Sequence, residues 1–222
     1  MAKQIAVIGL GRFGSRVART LHQMGHNVLA IDSDPRIIEE HRGTTTYPVQ
    51  ADATAETVLH DLGITEYDVI VVAISTNVTA NIMTTVLLLS LGVSESKIVA
   101  RANNRLHADT LRRLGIEKIV TPEEETGTRL AHTIFSQELR EYIALTPNYG
   151  VGMLRLPDHW AQKSLRELGF SGTRDRHRVV VLALRRDRNV ILAPDEDERV
   201  TEGDWLLIAG TDEGLETVVQ DR

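Results

Sequence analysis

Three glycines, a carboxylate and a guanidinium near the start of the chain have the types and spacing to do chemistry. Gly9, Gly11 and Gly14 follow the apolar run IAVI in the order Gly-x-Gly-x-x-Gly and lead straight into a helical pattern. In that context each glycine has a physical role. Gly9 permits a tight turn, Gly11 lets a diphosphate approach the backbone, and Gly14 lets the helix pack close to its strand. Free N–H groups and the positive end of the helix dipole then attract the anion. Asp32, 18 residues beyond Gly14, ends a second apolar run, where a carboxylate accepts bonds from ribose hydroxyls and repels a 2′-phosphate. Arg12 and Phe13 complete the loop. A guanidinium there suits a ligand with extra terminal charge, although a solvated loop arginine accounts for Arg12 equally well. NAD, ADP and ATP all meet these requirements; NADP does not.

The elements that must position this loop can be read outward from it. QIAVIG, NVLAID, TTYPVQ, DVIVVAI, KIVARA and KIVTP are short, β-branched strand candidates, with helical patterns between them. Gly25, Gly63, Gly92 and Gly115 close the helices at positions that require a left-handed backbone. Near-continuous apolar strands alternating with helices predict a doubly wound, Rossmann-like parallel sheet of the α/β class. Ser75 and Asn77 follow the fourth strand, where ligands of such sheets commonly sit; Asn77 equally fits a helix cap. The stretch TPEEETGTRLAHTIFSQELREYIALT reads as one longer crossover helix, with Thr121, Pro122 and Glu124 forming a capping box. A boundary is expected at 142/143. Beyond it a small, strand-rich α+β domain runs to residue 222, with helices at AQKSLRELG and DEGLETVVQ and a hairpin at LRRDRNVI. A domain of this size is expected to dimerise.

Composition removes several function classes. The chain has 222 residues and a net charge of -6, and neither half is basic, which argues against a nucleic-acid partner. It has no cysteine, so thiolate metal sites and Cys nucleophiles are excluded. Apolar runs fall short of membrane-spanning length, so the chain reads as cytoplasmic, with any membrane contact made through a partner. An NAD-dependent oxidoreductase is the rival reading. It would need a catalytic base and a substrate cavity, and no histidine stands in such a constellation; His107 reads as a helix-surface residue. The chain is therefore read as a non-enzyme.

Taken in order, IGLGRFG, AIDSD, ADAT, ARANN with a following His, and TPEEETGTRLA resemble the cytosolic regulatory subunits of Ktr/Trk-type potassium uptake systems. Their nucleotide-binding domain is termed RCK or KTN. KSLRELG, VVVLALRR, NVILAP and VTEGDWLLIAG resemble the C-terminal TrkA-C domain of the same family. The resemblance spans nearly the whole chain. It implies ATP or ADP as ligand, with Arg12 reaching phosphates that include those held in a neighbouring subunit. Asp52 and Ala53 would then lie along the adenine, and Arg101, where members often carry Lys, would supply a further phosphate contact. It also implies an octameric ring of dimers beneath an integral-membrane, potassium-translocating subunit of the KtrB/TrkH kind, with ATP promoting flux. Glu123 matches a glutamate that binds Na+, Ca2+ or Mg2+ where two subunits meet. In the second domain the resemblance implies a cyclic di-AMP site, for which Arg176, His177, Arg178 and Pro194 are the candidates. Each residue also has an ordinary explanation: a turn for Asp52, a surface charge for Arg101, helix-dipole complementarity for the PEEE glutamates, and a charged strand edge for the arginines.

Overall fold

The computed structural model describes residues 1–134, 139–146, 148–170 and 178–220. Its first part alternates β1 (Gln4–Ile8), α1 (Arg12–Gln23), β2 (Asn27–Asp32), α2 (Pro35–His41), β3 (Tyr47–Gln50), α3 (Glu56–Asp61), β4 (Val69–Val72), α4 (Val78–Ser90), β5 (Ile98–Arg101), α5 (Arg105–Arg113) and β6 (Lys118–Val120). All six strands pair in parallel in the order β3-β2-β1-β4-β5-β6, the doubly wound order expected. Alternate residues of β1 serve opposite layers. Ala6 and Ile8 pack with Leu59, Leu88 and Leu111 on one face, while Ile5 and Val7 pack with Leu10 and Ala18 on the other. Burial on both faces is why these strands read as unbroken apolar runs. The four helix-closing glycines all take positive φ.

α6 (Pro122–Thr133) follows, then β7 (Leu139–Thr146), β8 (Tyr149–Arg155), β9 (Val179–Arg186), β10 (Asn189–Leu192), β11 (Trp205–Thr211) and α7 (Asp212–Gln220). These strands form an antiparallel sheet in the order β10-β9-β11-β8-β7, and α7 packs on it. Here two expectations are corrected. The helix expected through residue 146 gives way to β7, because LREYIALT pairs with β8. A bulge between Leu139 and Glu141 puts the buried Leu139 and Tyr142 three residues apart, a spacing that imitates a helix face. The second sheet thus begins at Leu139, ahead of the expected boundary. AQKSLRELG is not a continuous helix either: a short 3-10 turn (Asp158–Trp160) is followed by one closed turn, in which Leu168 N donates to Ser164 O at 3.0 Å. Bridging of Ser164 to Arg199 straightens the chain there. The hairpin between β9 and β10 forms as expected, with Asp187 left-handed at φ 53°.

The chain divides into two compact units, Met1–Glu123 and Glu124–Arg222. The second has its own core, centred on Leu154, Trp160, Phe170, Leu184, Leu206 and Ile208. A buried carboxylate supports it. Asp204 accepts from Arg186 Nη2 at 2.9 Å and from Thr201 N at 2.8 Å. Burial pushes the Asp204 carboxyl up, but the Arg186 and Thr201 bonds outweigh it and hold it below its usual value. Among the described residues no helix is long and apolar enough to cross a membrane.

Candidate functional site

The carboxyl ends of β1, β2 and β4 open into a cleft of about 530 Å³. It lies where the chain's winding reverses direction, the place at which open α/β sheets bind ligands. Gly9, Gly11, Asp32, Asp52, Ala53, Ser75 and Asn77 all line it. Seven of the residues singled out in the sequence are therefore brought together.

Two glycines show how the loop is built. A methyl group on Gly14 would lie 1.9 Å from the Gly9 carbonyl oxygen, so α1 reaches the loop only because Gly14 has no side chain. A methyl on Gly11 would meet nothing nearer than Ser75 Oγ at 3.8 Å. The protein thus keeps a space in front of Gly11 that its own atoms do not require. Gly11 is also the N-cap of α1; no side chain caps the helix and no acidic residue stands in its first turn. An uncapped helix start facing an open space is a cradle for an anion. A phosphate group fits these residues.

Asp32 fixes the loop as well as facing the cleft. One carboxylate oxygen accepts from Leu10 N at 2.7 Å and the other from Asp34 N at 2.9 Å. Each oxygen keeps capacity for a ribose hydroxyl. Asp52 accepts from Thr54 N and Thr54 Oγ1, and these bonds hold its carboxyl below the usual range. Asn77 is the N-cap of α4, its side chain accepting from Ala80 N at 3.0 Å. Its ordinary role is thus satisfied at the rim of the cleft.

Arg12, Phe13, Arg101 and Glu123 form a neighbouring group. Arg101 is buried, not a surface charge. Its Nη2 donates to Glu123 Oε1 at 2.5 Å, and its guanidinium lies 5.9 Å from the Phe13 ring centre. The Arg101 hydrogen bond lowers the Glu123 carboxyl, and the charge of Arg12 adds to the effect. Among the described residues no cluster of three or more His, Cys, Asp or Glu groups could hold a metal ion. In the second unit the exposed Arg178 reaches Glu213 at 4.0 Å and the half-buried Pro194 follows β10. Arg176 and His177 lie outside the described residues.

The sequence reading missed the support beneath the cleft. Asn81 is fully buried in α4, and its Nδ2 donates to Ile74 O and Arg101 O, tying the ends of β4 and β5 together. Its Oδ1 accepts from His107 Nε2 at 3.2 Å, while His107 Nδ1 accepts from Asn103 N. His107 is thus a buried, neutral linker and not the surface residue expected; burial pushes its pKa down. Asn103 Nδ2 completes the brace by donating to Ser75 O.

Strand order, glycine loop and acidic strand end together define a Rossmann-type protein with a cleft at the switch point. More narrowly, the chain belongs to the TrkA family: residues 5–122 match the TrkA-N domain and residues 154–220 the TrkA-C domain. It is 33% identical over 208 residues to the Ktr system potassium uptake protein A of Bacillus subtilis, covering 94% of this chain and 91% of that protein. Its fold is similar to a solved GsuK channel bound to NAD, with a TM-score of 0.64 and 18% identity. That match covers 98% of this chain, which spans only 39% of the channel chain. It also resembles a Kef C-terminal domain from Shewanella denitrificans in AMP-bound form, with a TM-score of 0.52 and 25% identity over 60% of this chain and 78% of that one.

Proposed function

We propose that the chain is a regulatory subunit that senses ATP or ADP and gates a membrane potassium transporter, and that it is not an enzyme. The observation that carries this reading is the space kept open in front of Gly11, between an uncapped helix start and Asp32. The Ktr relative supports the potassium system, and the AMP-bound Kef domain supports an adenine nucleotide as the cleft's ligand. The phosphates sit against the loop, the ribose on Asp32, and the adenine along Asp52 and Ala53. Arg12, exposed at the first turn of α1, contacts the terminal phosphate, including that of a neighbouring copy. Copies pair through the second unit and close into a ring, octameric in the family's manner, held at the inner face of the membrane by its potassium-translocating partner. Glu123 and its counterpart share a Na+, Ca2+ or Mg2+ ion, and cyclic di-AMP occupies the second unit near Arg178 and Pro194. Differential nucleotide binding between two ring shapes then moves the partner.

A thermal-shift panel of ATP, ADP, NAD, NADH and cyclic di-AMP, with and without Mg2+ or Ca2+, tests this. A ligand at a hundred times its Kd adds about 2.7 kcal/mol, enough to raise Tm by several degrees. ATP and ADP should shift the midpoint and NADH should not; preference for NADH would return the redox reading. Arg12→Ala should keep ADP binding and weaken the response to ATP, whereas equal loss of both ligands would remove the cross-subunit role.

A further inference from the structure

The outer face of the second sheet carries a row of like charge that the proposed function leaves unused. Strand register sets Trp205 of β11 between Arg155 of β8 and Arg185 of β9. Side chains directly opposed in this way have Cβ atoms roughly 4.5–5.5 Å apart. A third arginine, Arg140, enters at the bulge of β7. The Arg140 guanidinium carbon lies 5.7 Å from the Trp205 ring centre and that of Arg185 lies 5.0 Å from it.

Guanidiniums gathered around one indole repel one another, and folded proteins usually answer such charges with carboxylates. Arg186, one residue along, is answered in this way by Glu198 and Asp204. Among the described residues none of Arg140, Arg155 and Arg185 forms an ion pair. Arg185 also buries its Nε with no acceptor in reach. A buried charged donor without a partner is costly, and the Trp205 ring supplies only the weaker cation–π attraction. The missing component is an anion.

We propose that Arg140 and Arg185, lying against Trp205, and Arg155, its cross-strand neighbour, form an anion site apart from the one near Arg178 and Pro194, and that it takes a phosphate-bearing ligand. All four residues lie in the second unit, whereas the glycine-loop cleft lies in the first. Guanidinium forks pair with phosphate oxygens two at a time. One fork saturates the two oxygens and single charge of a carboxylate or phosphodiester, so three forks match a more highly charged group, a diphosphate or a terminal phosphate monoester. Trp205 is engaged by two guanidiniums, so recognition is of phosphate and not of a base. A soluble phosphate ester and a phospholipid headgroup share this chemistry.

The full chain, saturated with ADP to fill the cleft, is titrated calorimetrically with inorganic pyrophosphate. One further binding event per chain is expected, with a shift of the Trp205 indole N–H resonance. Arg155→Gln should weaken it about 10-fold, since one charged hydrogen-bonding partner is lost, and Arg155→Gln/Arg185→Gln should abolish it. ADP affinity, measured separately, should stay unchanged, so failure of the cleft reading shows as lost ADP binding and not as a lost pyrophosphate event. Removing the repulsion should leave Tm unlowered. If the Gln pair is unstable, Arg155→Lys/Arg185→Lys keeps the charge without the fork and should weaken binding several-fold; unchanged affinity in that pair overturns the proposal. Flotation with phosphatidic acid vesicles, against phosphatidylcholine alone, separates the sources. Arginine-dependent retention displaced by pyrophosphate assigns a headgroup, and pyrophosphate binding without retention assigns a soluble ester. Absence of both, or a second event that survives the double Gln variant, overturns the proposal.

Discussion

Arg101 in the first unit and Arg185 in the second each bury an Nε that meets no acceptor, yet their surroundings differ. The other end of Arg101 is held by Glu123, so the first unit balances its charge within the chain. Arg185 has an indole and two further arginines for neighbours. The difference teaches that the two units prepare for ligands in opposite ways. The first holds a shaped space beside a buried guanidinium matched by a carboxylate, and the second holds guanidiniums without carboxylate partners on a sheet face.

The largest expected effect breaks the first half of that comparison. Gly14→Ala drives a methyl into the Gly9 carbonyl, a backbone clash that side-chain rotation does not relieve. It should cost about 3 kcal/mol or more, seen as loss of the cooperative unfolding transition or a large fall in Tm. Gly11→Ala should leave Tm nearly unchanged, because the space is open, while abolishing the nucleotide-induced shift. Equal damage from both substitutions would mean that the loop serves folding alone.

How much of this was legible follows from the range over which each feature is encoded. The six parallel strands, the left-handed helix ends and the Gly9–Gly11–Gly14–Asp32 set declare themselves within a few residues, so sequence reading finds them. β7 reads as helix in the sequence because its bulge converts a two-residue alternation into the three-residue step from Leu139 to Tyr142. His107 and Asn81 form one buried pair but stand 26 residues apart on different helices. Both are polar, and neither carries a local sign of burial. Arg140, Arg155, Arg185 and Trp205 are likewise scattered over four strands, and only strand register gathers them.

An intermediate effect comes from exchanging matched for unmatched charge. Asp204→Ala removes the buried partner of Arg186 and orphans Thr201 N. Because Arg186 keeps 33% of its side-chain exposure, water recovers part of the loss. A cost of about 2–3 kcal/mol is expected in chemical denaturation. Glu123→Gln does the corresponding thing to Arg101. The Glu123 side chain is 67% exposed, so its cost should stay below about 1 kcal/mol. A larger loss from Glu123→Gln than from Asp204→Ala would invert the comparison and make the ion pair beside the cleft the more important fold determinant.

The smallest effect is a pH dependence carried by the first unit. His107 is buried between α4 and α5 and donates from Nε2 to Asn81 while accepting at Nδ1, an arrangement that only the neutral ring satisfies. Burial lowers its pKa below the ordinary 6.5, so as pH falls through that value the unfolded chain takes up the proton first. The stability His107 confers is complete above pH 6.5 and declines below it, until the folded form is protonated too. Between pH 7 and pH 5 the decline is read as a fall in the denaturation midpoint. His107→Gln keeps a donor for Asn81 and removes the titration, so its midpoint should be lower at pH 7 yet less dependent on pH over this range. A variant whose pH profile runs parallel to that of the parent would show that another group carries the slope. The neutral brace under the cleft would then be a packing element without a part in the unit's response to acid.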